Sequence, residues 1–377
     1  MTIPSPTTSR RELFKLAGAI GAAAAFAGTL SACGTTPSQR GGDAAANLKT
    51  PTIKAAISYE HGTNGFDPMT TTAALTVAAN WHTMEGLTEI LPSGNRTVYA
   101  ALGKELPRKV DDLTYEVALR DGATFHNGSP VTADDVVYSF ERAADPANGF
   151  TGNTPGFVFA SIAYKGARVD GDLEATIIME RYQSIALGLI AEVHIHCKDS
   201  YEKMSLEEAA SHPVGSGPYK FVEWVKDDYL VMEKWADFKL RDPYFDRIVW
   251  RVIPEASTRT AELIAGNVDI ITNVNPDQIG VINDSDTAQV IPVEGLRRIY
   301  VGFNFTDNFQ TPCAEALQKT DVRVALQYAI DVPTICDALL GTPCTRATGL
   351  VNAPYDNPNL APSAYDPDKA EELLDAA

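Results

Sequence analysis

A short serine and lysine motif is the first feature of this sequence that could carry out chemistry. Ser200 and Lys203 have the S-x-x-K spacing of serine acyl-enzymes of the bacterial envelope, in which the serine is the nucleophile. The companion motifs S-D-N and K-T-G of those enzymes are absent from the sequence, and so is G-x-S-x-G. A chain with 17 serines and 14 lysines matches such a pattern by chance. We therefore expect a protein that is not an enzyme.

Histidines, a cysteine and pairs of acids are the other candidates for chemistry. His194, His196 and Cys197 carry good metal-ligating groups, but the sequence shows no second cluster of ligands, so a partly exposed strand is the favoured interpretation. The acidic doublets lie at predicted turns and helix starts, where carboxylates act as solvated caps rather than as a glycosidase pair. They are Asp111-Asp112, Asp134-Asp135, Asp227-Asp228 and Glu371-Glu372. The sequence therefore predicts neither a resident metal nor a cofactor.

The composition describes an acidic chain with room for two cores. The formal net charge of -18 argues against nucleic acid as a partner, because nucleic-acid binding draws on clusters of basic residues. With 377 residues, 45% of them apolar, the chain can bury at least two sizeable cores. Two lobes are the expected organisation.

The first 33 residues have the parts of an export signal. A twin-arginine pair at Arg10 and Arg11 precedes a weakly apolar stretch, and Leu30-Ser31-Ala32-Cys33 resembles the lipobox of bacterial lipoproteins. We therefore expect residues 1–33 to be a signal, with Cys33 lipidated and the protein exported and anchored to the outer face of the cell membrane. An uncleaved anchor and an unmodified secreted chain are the alternatives. Residues 34–50 are small and polar and predict a flexible tether.

The remaining cysteines suit an exported protein that keeps disulfides. Cys313, Cys336 and Cys344 lie within 32 residues of one another, whereas Cys197 is distant in sequence. A bridge among the three is expected. Their spacing does not show which two of the three cysteines form the bridge.

Hydrophobic periodicity predicts alternating strands and helices. The two-residue alternation over 113–119 indicates a half-buried strand, and Thr132 with Asp135 has the spacing of a capping box at a helix start. Further strands are predicted over Tyr229–Trp235 and Arg247–Ile253, the second apolar on both faces and therefore central in its sheet.

The chain continues with further helices and a short strand. Ser257 is the expected cap of a helix, and Val268–Ile271 follows it as a strand, which completes a strand, helix, strand unit. Helices are also predicted from Asp321 towards Ile330, at Pro333 and at Pro367. The fold class is therefore α/β.

Several longer stretches together resemble family 5 of the extracellular solute-binding proteins, the oligopeptide- and dipeptide-binding components of ABC importers. The resemblance runs from about residue 52 to the end of the chain, and its segments occur in the order of that family. They are GFDP at 65–68, NWHTMEGL at 80–87, LTYEVALRDGATFHNGSPVTADDVVYSFERA at 113–143, VGSGPY at 214–219, TDVRVALQYAID at 320–331 and YDPDKAEELL at 365–374. Most of these fingerprint residues are expected to be scaffold.

The resemblance implies a two-lobed, periplasmic-binding-protein-like fold of type II. Lobe I is expected over 51–295, with an inserted subdomain at about 73–190. Residues 296–377 are expected to form the first part of lobe II. Members of the family are usually more than a hundred residues longer, so the second lobe is expected to be incomplete in this sequence. The 377-residue chain is therefore expected to bind ligand weakly or not at all, whereas a chain of the family's usual length is expected to close on it.

The resemblance also implies where a ligand binds. The loop after the first strand is expected to line the cleft, beside the helix that carries Asn80 and Trp81, and packing is an equally good interpretation of Trp81. In the stretch 297–305 a buried hinge strand, with Arg297 or Arg298 paired to a carboxylate, is favoured over a cleft wall with an arginine facing a ligand carboxylate. The expected ligand-binding residues are Thr70, Thr71, Thr72, Ala74, Asn80, Trp81, Phe150, Arg298, Tyr300 and Asn304.

The implied function is capture of short peptides outside the membrane and delivery to a permease. Cello-oligosaccharides, opine-like compounds and nickel or haem complexes are alternative ligands within the same role. The implied partners are an ABC permease with its ATPase subunits, and the protein is expected to be a monomer. Ligand is expected to bind between the lobes and to stabilise a closed state by hinge motion.

Overall fold

The fold was obtained as a computed structural model. It describes residues 51–58, 65–70, 74–90, 97–150, 152, 158–293, 297–304, 312–340, 344–351 and 357–377. The predicted signal, the tether and Cys33 lie outside the described residues. Within the described ranges, no helix combines the length and the apolar character needed to cross a membrane.

Eleven strands are present in the described part of the chain. They are β1 (Thr52–Ile57), β2 (Thr88–Ile90), β3 (Val98–Ala100), β4 (Arg108–Lys109), β5 (Thr114–Ala118), β6 (Tyr164–Val169), β7 (Glu174–Met179), β8 (Tyr219–Val225), β9 (Tyr229–Lys234), β10 (Arg247–Val252) and β11 (Ile270–Ile271).

The α-helices alternate with these strands and then follow them. They are α1 (Ala74–Thr83), α2 (Ala133–Ala144), α3 (Ala160–Ile162), α4 (Ala186–Ile190), α5 (Lys198–Tyr201), α6 (Leu206–Ser211), α7 (Ala256–Ile264), α8 (Pro276–Asn283), α9 (Pro312–Gln318), α10 (Thr320–Ala329), α11 (Val332–Ile335) and α12 (Pro367–Ala376). A short 3₁₀ turn occupies Pro146–Asn148, and a π-helical turn occupies Cys336–Leu340.

A five-stranded mixed sheet carries the parallel strands. Its strand order is β11-β1-β10-β9-β8, with β1 parallel to both β10 and β11 and the other neighbours antiparallel. The prediction that β10 is central is confirmed, because β10 has two strands on either side. The chain from β10 through α7 to β11 is the expected strand, helix, strand unit, with β1 between its two strands.

A second, four-stranded antiparallel sheet lies within the predicted insert. Its order is β4-β5-β7-β6, and α2 packs against it. The predicted strand at 113–119 is confirmed as β5, with Tyr115 and Val117 buried. A separate pair of strands, β2 and β3, completes this region. The largest cluster of buried apolar side chains joins this sheet to α2, α4 and the segment after α4.

Helix α2 begins where the sequence predicts it. The Asp135 carboxylate accepts hydrogen bonds from both the backbone N–H and the hydroxyl of Thr132, at 2.9 and 2.8 Å. Its other oxygen accepts from the backbone N–H of Lys198 at 2.8 Å, which ties the helix start to α5. Val136 and Phe140 are fully buried on the sheet side of α2. The local signal and the packing therefore select the same helix.

The start of α7 differs from its prediction by two residues. Glu255, not Ser257, is the cap: the Glu255 carboxylate accepts from the backbone N–H and the hydroxyl of Ser257, at 3.3 and 3.1 Å. Glutamate is uncommon as a cap, and its side chain, which is longer than that of aspartate, extends forward to the first turn of the helix. The predicted α/β element is otherwise confirmed.

The described residues from 297 onwards have few buried side chains. Among those whose burial the structure describes, Ala325, Cys336 and Ala370 are the buried residues. Helices α10 and α12 contact each other, and the backbone N–H of Asp366 donates to the Tyr328 carbonyl at 2.9 Å. A disulfide joins Cys336 to Cys344, so the expected bridge in this region is present and its pair is identified. Predicted helices at 321–330, Pro333 and Pro367 are all confirmed.

Candidate ligand-binding site

The carboxyl ends of three parallel strands lie side by side at one edge of the five-stranded sheet. β1 ends at Ile57, β10 at Val252 and β11 at Ile271. Ser58 and Asn273 follow β1 and β11, and the Asn273 amide nitrogen donates to the Ser58 hydroxyl at 3.1 Å. In open α/β sheets ligands bind in the crevice outside the carboxyl ends of the strands. We call Ser58, Thr272 and Asn273 the carboxyl edge.

A buried arginine fixes the backbone of the carboxyl edge. The Arg259 guanidinium is 3% exposed and donates to the Ile253 and Pro254 carbonyls after β10, at 2.8 and 2.7 Å. It also donates to the Asn273 carbonyl at 3.2 Å. Asn273 has φ of +56°, a left-handed conformation that asparagine tolerates better than most residues. Arg259 therefore holds two strand ends together and fixes the position of the exposed Asn273 amide.

The loop 65–70 is fixed by a buried ion pair. The Arg142 guanidinium donates to both oxygens of Asp67, at 2.6 and 3.3 Å, and the Asp67 side chain is fully buried. His196 Nε2 lies 3.6 Å from the same carboxylate. Burial on its own raises the pKa of the Asp67 carboxyl, but the neighbouring His196 and Arg142 outweigh it and hold this pKa well below its ordinary value. Asp67 is therefore an anion at neutral pH.

The same ion pair brings two predicted site residues to one place. The Phe150 ring covers the Arg142 guanidinium, with 4.6 Å between the guanidinium carbon and the ring centroid. The backbone N–H of Gly152 donates to the Met69 carbonyl at 2.9 Å, and the hydroxyl of the neighbouring Thr70 donates to the Asp67 carbonyl at 3.2 Å. Thr70 and Phe150 therefore lie on adjoining loops. Thr71 and Thr72 lie outside the described residues, as does the Ala73 position before α1.

The predicted site residues of α1 are placed differently from each other. Ala74 is its first residue, Asn80 is 1% exposed, and Trp81 is half-buried. Trp81 lines a small cavity of about 10 Å³ together with Glu89 and His194. This contact supports the packing interpretation of Trp81. The Asn80 amide is enclosed, and its side-chain atoms form no hydrogen bond with other described residues.

A second buried carboxylate lies at the end of the same segment. Glu85 is 1% exposed, and Arg120 donates to its two oxygens at 2.9 and 3.2 Å. Burial raises the pKa of Glu85 to about 8, while the charge of Arg120 acts in the opposite direction. This carboxyl therefore titrates far from its ordinary value of 4.5.

The raised pKa of Glu85 predicts a pH-dependent stability. Because the folded state binds this proton more tightly than the unfolded state, the contribution of Glu85 to the free energy of unfolding should fall as the pH rises from about 5 to 8, by roughly 1 kcal/mol per pH unit. Burial lowers the pKa values of His126 and His194, and these histidines contribute the opposite slope over the lower part of that range. The slope in urea unfolding should therefore be more positive in Glu85→Gln, which cannot lose a proton, than in the wild type. Glu116→Gln, in an exposed pair with Arg108, is the matched control and should leave the slope unchanged. An equal slope in wild type and Glu85→Gln would refute the assignment.

The predicted site residues beyond 296 lie on an exposed segment. The prediction of a strand is wrong for the described residues 297–304, which adopt no regular secondary structure. Ile299, Tyr300 and Val301 are at least 69% exposed, because no described strand pairs with this segment. The Arg298 guanidinium donates to the Val351 carbonyl at 2.9 Å rather than to a carboxylate. Asn304 is exposed at the end of the segment.

The histidine and cysteine segment is a buried structural element. The interpretation as a partly exposed strand is wrong, since His194, His196 and Cys197 are 7%, 0% and 1% exposed and only an isolated bridge, from Gly86 to His194, occurs there. Among the described residues no group of three metal-ligating side chains is present. The Ser200 hydroxyl donates to Cys197 Sγ at 3.3 Å and accepts from Asn127 at 3.0 Å. This serine therefore takes part in a local hydrogen-bond network.

Ser58, Arg259 and Asn273 are candidate site residues that sequence reasoning missed. Each of them follows or supports a strand end, and Ser58 and Asn273 are 215 residues apart in the chain. For Ser58 and Asn273 the local signal was their position just after a strand, whereas Arg259 lies within α7 and had no such signal. Using that signal requires knowing that β1 and β11 are neighbours.

Comparison with known proteins identifies the family. Residues 97–377 match the family model "Bacterial extracellular solute-binding proteins, family 5 Middle". The glutathione-binding protein GsiB of Pectobacterium atrosepticum is 29% identical over 271 residues, which cover 71% of this chain and 50% of that protein. Heme-binding protein A of Haemophilus influenzae is 29% identical over 309 residues, covering 74% of this chain and 54% of that protein.

A solved structure shows the same fold. The ABC transporter-associated periplasmic binding protein DppA from Helicobacter pylori, in complex with the peptide STSA, superposes with a TM-score of 0.66 at 23% identity. The match covers 86% of this chain and 65% of that one. The predicted type II periplasmic-binding-protein-like α/β fold is confirmed. This chain spans about half the length of the curated relatives it matches. It belongs to family 5 of the bacterial extracellular solute-binding proteins.

Proposed function

We propose that this protein is the substrate-binding component of an ABC importer and that it captures short peptides outside the membrane. The carboxyl edge carries the proposal: an exposed amide and a hydroxyl lie at the strand ends where a binding protein of this fold takes its ligand. In this proposal lobe I comprises residues 51–295, with an insert at about 73–190, and lobe II begins at 296. Ligand binding between the lobes stabilises a closed state that the permease recognises.

The polar groups of the carboxyl edge favour a peptide as the ligand. Asn273 and Ser58 present an amide and a hydroxyl, which suit the alternating donors and acceptors of a peptide main chain. Two of the compared proteins carry peptide ligands in their names: glutathione for the relative in Pectobacterium and STSA for DppA. Haem is the ligand named for the Haemophilus relative, so haem is the second candidate. Nickel complexes, cello-oligosaccharides and opine-like compounds are further alternatives.

The envelope location and the partners are part of the same proposal. Export by the twin-arginine signal and acylation of Cys33 would hold the protein, as a monomer, at the outer face of the membrane beside the permease and its ATPase subunits. Intact-mass analysis of membrane-extracted protein tests the anchor. A mature chain that begins elsewhere than Cys33, or membrane retention that persists in Cys33→Ser, would refute it.

A substitution at the carboxyl edge tests the peptide proposal. Asn273→Gly removes the amide but accepts the left-handed backbone, so it should weaken binding of di- to pentapeptides about three- to tenfold without unfolding the protein. Isothermal titration calorimetry measures the change. Gln278→Ala, at a half-buried position of α8 outside the carboxyl edge, is the control and should bind as the wild type does. Recovery of only sugars or metal-bound species by native mass spectrometry of protein from cell envelopes would overturn the peptide assignment.

A further inference from the structure

A pocket of about 450 Å³ lies between α2, α6 and the loop that follows α2. Three aromatic side chains, Tyr138, Phe150 and Tyr201, contribute to its walls, with the apolar side chains of Met204 and Leu206 beside them. This volume falls within the range of small-molecule sites. Its aromatic and apolar lining is suited to an organic group rather than to a bare ion.

Among the described residues that line the pocket, Arg142 is the one cation, and its charge is neutralised. The Arg142 side chain is 8% exposed, is held by both oxygens of Asp67, and has the rings of Phe150 and Tyr201 at 4.6 and 5.3 Å from its guanidinium carbon. Its charge is therefore matched within the protein. The pocket has no spare positive charge to offer an anion.

Two exposed carboxylates of the lining each have one oxygen that accepts from no described donor. Glu141 uses Oε1 to accept from the Tyr164 hydroxyl and the Ala167 N–H, and Asp145 uses Oδ1 to accept from the Ala147 N–H. Within the described ranges, Oε2 of Glu141 and Oδ2 of Asp145 accept no hydrogen bond. Burial raises the pKa of the Tyr138 phenol; the charge of Arg142 opposes this rise, and that of Glu202 adds to it.

A buried tyrosine also forms part of the pocket wall. Tyr201 is 5% exposed and lines the pocket. Burial holds the pKa of its phenol well above the ordinary value, and a hydrogen bond with the Val214 backbone acts in the opposite direction. This hydroxyl therefore stays protonated at the pocket wall.

We propose that this pocket binds an organic ammonium ion, that is, a protonated amine with an apolar body. Aromatic side chains attract a cation, the oxygens of Glu141 and Asp145 that accept from no described donor accept from the ammonium group, and Met204 and Leu206 contact the apolar body. The pocket shares no residue with the carboxyl edge, whereas Phe150 is also one of the ligand-binding residues expected from the family resemblance.

Phenethylammonium is the probe for this site, and 2-phenylethanol is its neutral counterpart. Methionine-methyl NMR of the whole chain gives a local signal, because Met204 is the methionine that lines the pocket, whereas Met232 is buried in the five-stranded sheet. Titration with the amine should shift the Met204 methyl resonance in a saturable manner and leave that of Met232 in place. The alcohol should bind at least about tenfold more weakly.

Two conservative substitutions test the carboxylates. Glu141→Gln with Asp145→Asn keeps the oxygens that accept from Tyr164 and Ala147, removes both charges, and should weaken amine binding at least about tenfold. An unchanged Met232 resonance shows that the variant is folded. Equal binding of alcohol and amine, equal binding by the double variant, or no saturable shift at Met204 would each overturn the proposal.

Discussion

Replacing Arg142 by methionine should lower the free energy of unfolding by about 3–5 kcal/mol at pH 7. Arg142 holds both oxygens of the fully buried Asp67, and its loss leaves that carboxylate buried without a cation. The contacts with the Phe150 and Tyr201 rings are lost as well. Urea unfolding followed by circular dichroism measures the difference. The cost is large because burial has already removed water from the Asp67 carboxylate.

The pH dependence of this cost has a defined sign. In the wild type the depressed pKa of Asp67 contributes stability above the ordinary carboxyl range, and this contribution is lost as the pH falls through the folded-state pKa. Without Arg142, burial favours the protonated carboxyl. The destabilisation by Arg142→Met should therefore shrink as the pH is lowered towards 4.

Two further variants separate the ion pair from general packing. Arg108→Met breaks an exposed pair with Glu116 and should cost at most about 1 kcal/mol. The double variant Asp67→Asn with Arg142→Met removes the stranded charge and should be more stable than Arg142→Met alone. If Arg142→Met lowers the free energy of unfolding no more than Arg108→Met does, the ion pair of Asp67 and Arg142 does not fix the loop 65–70.

Local elements were predictable from the sequence because their signals are local. The alternation over β5, the capping box at Thr132 and the apolar strand β10 each depend on residues a few positions apart, and all three were predicted correctly. The stretch 297–304 has the same alternation, but a strand also needs a neighbour, and no described strand pairs with it. An alternating sequence therefore indicates that a segment can form a strand, but the strand forms only when another strand pairs with it.

The candidate site was less predictable because its contacts span long stretches of chain. Asp67 and Arg142 are 75 residues apart, and Ser58 and Asn273 are 215 apart. Neither pair has a spacing that a motif could encode. The order of β11, β1 and β10 in the sheet brings Ser58 and Asn273 together, and that order is a tertiary property. The family resemblance supplied the fold, whereas the individual contacts required coordinates.

The glycines of the VGSGPY segment provide the second large expected effect. A Cβ atom added at Gly215 would lie 1.9 Å from the Thr83 carbonyl oxygen at the end of α1, and one at Gly217 would lie 2.6 Å from the Thr83 carbonyl carbon. The backbone N–H of Gly217 donates to that same carbonyl at 3.0 Å, and the Gly215 carbonyl accepts from the His126 N–H at 2.8 Å. Glycine is therefore required by close contact of two backbones.

Gly215→Ala should consequently lower the free energy of unfolding by about 3 kcal/mol, since the obstructing atom is backbone and cannot move aside without breaking these hydrogen bonds. Gly280→Ala is the matched control: it lies within α8, its added Cβ meets nothing within 4 Å, and alanine should stabilise the helix by about 0.5–1 kcal/mol. Urea unfolding of both variants gives the comparison. The two substitutions add the same methyl group, so opposite signs show that the close contact at Thr83 determines the cost. A Gly215→Ala variant as stable as the wild type would mean that this segment does not pack on α1 as closely as the structure places it.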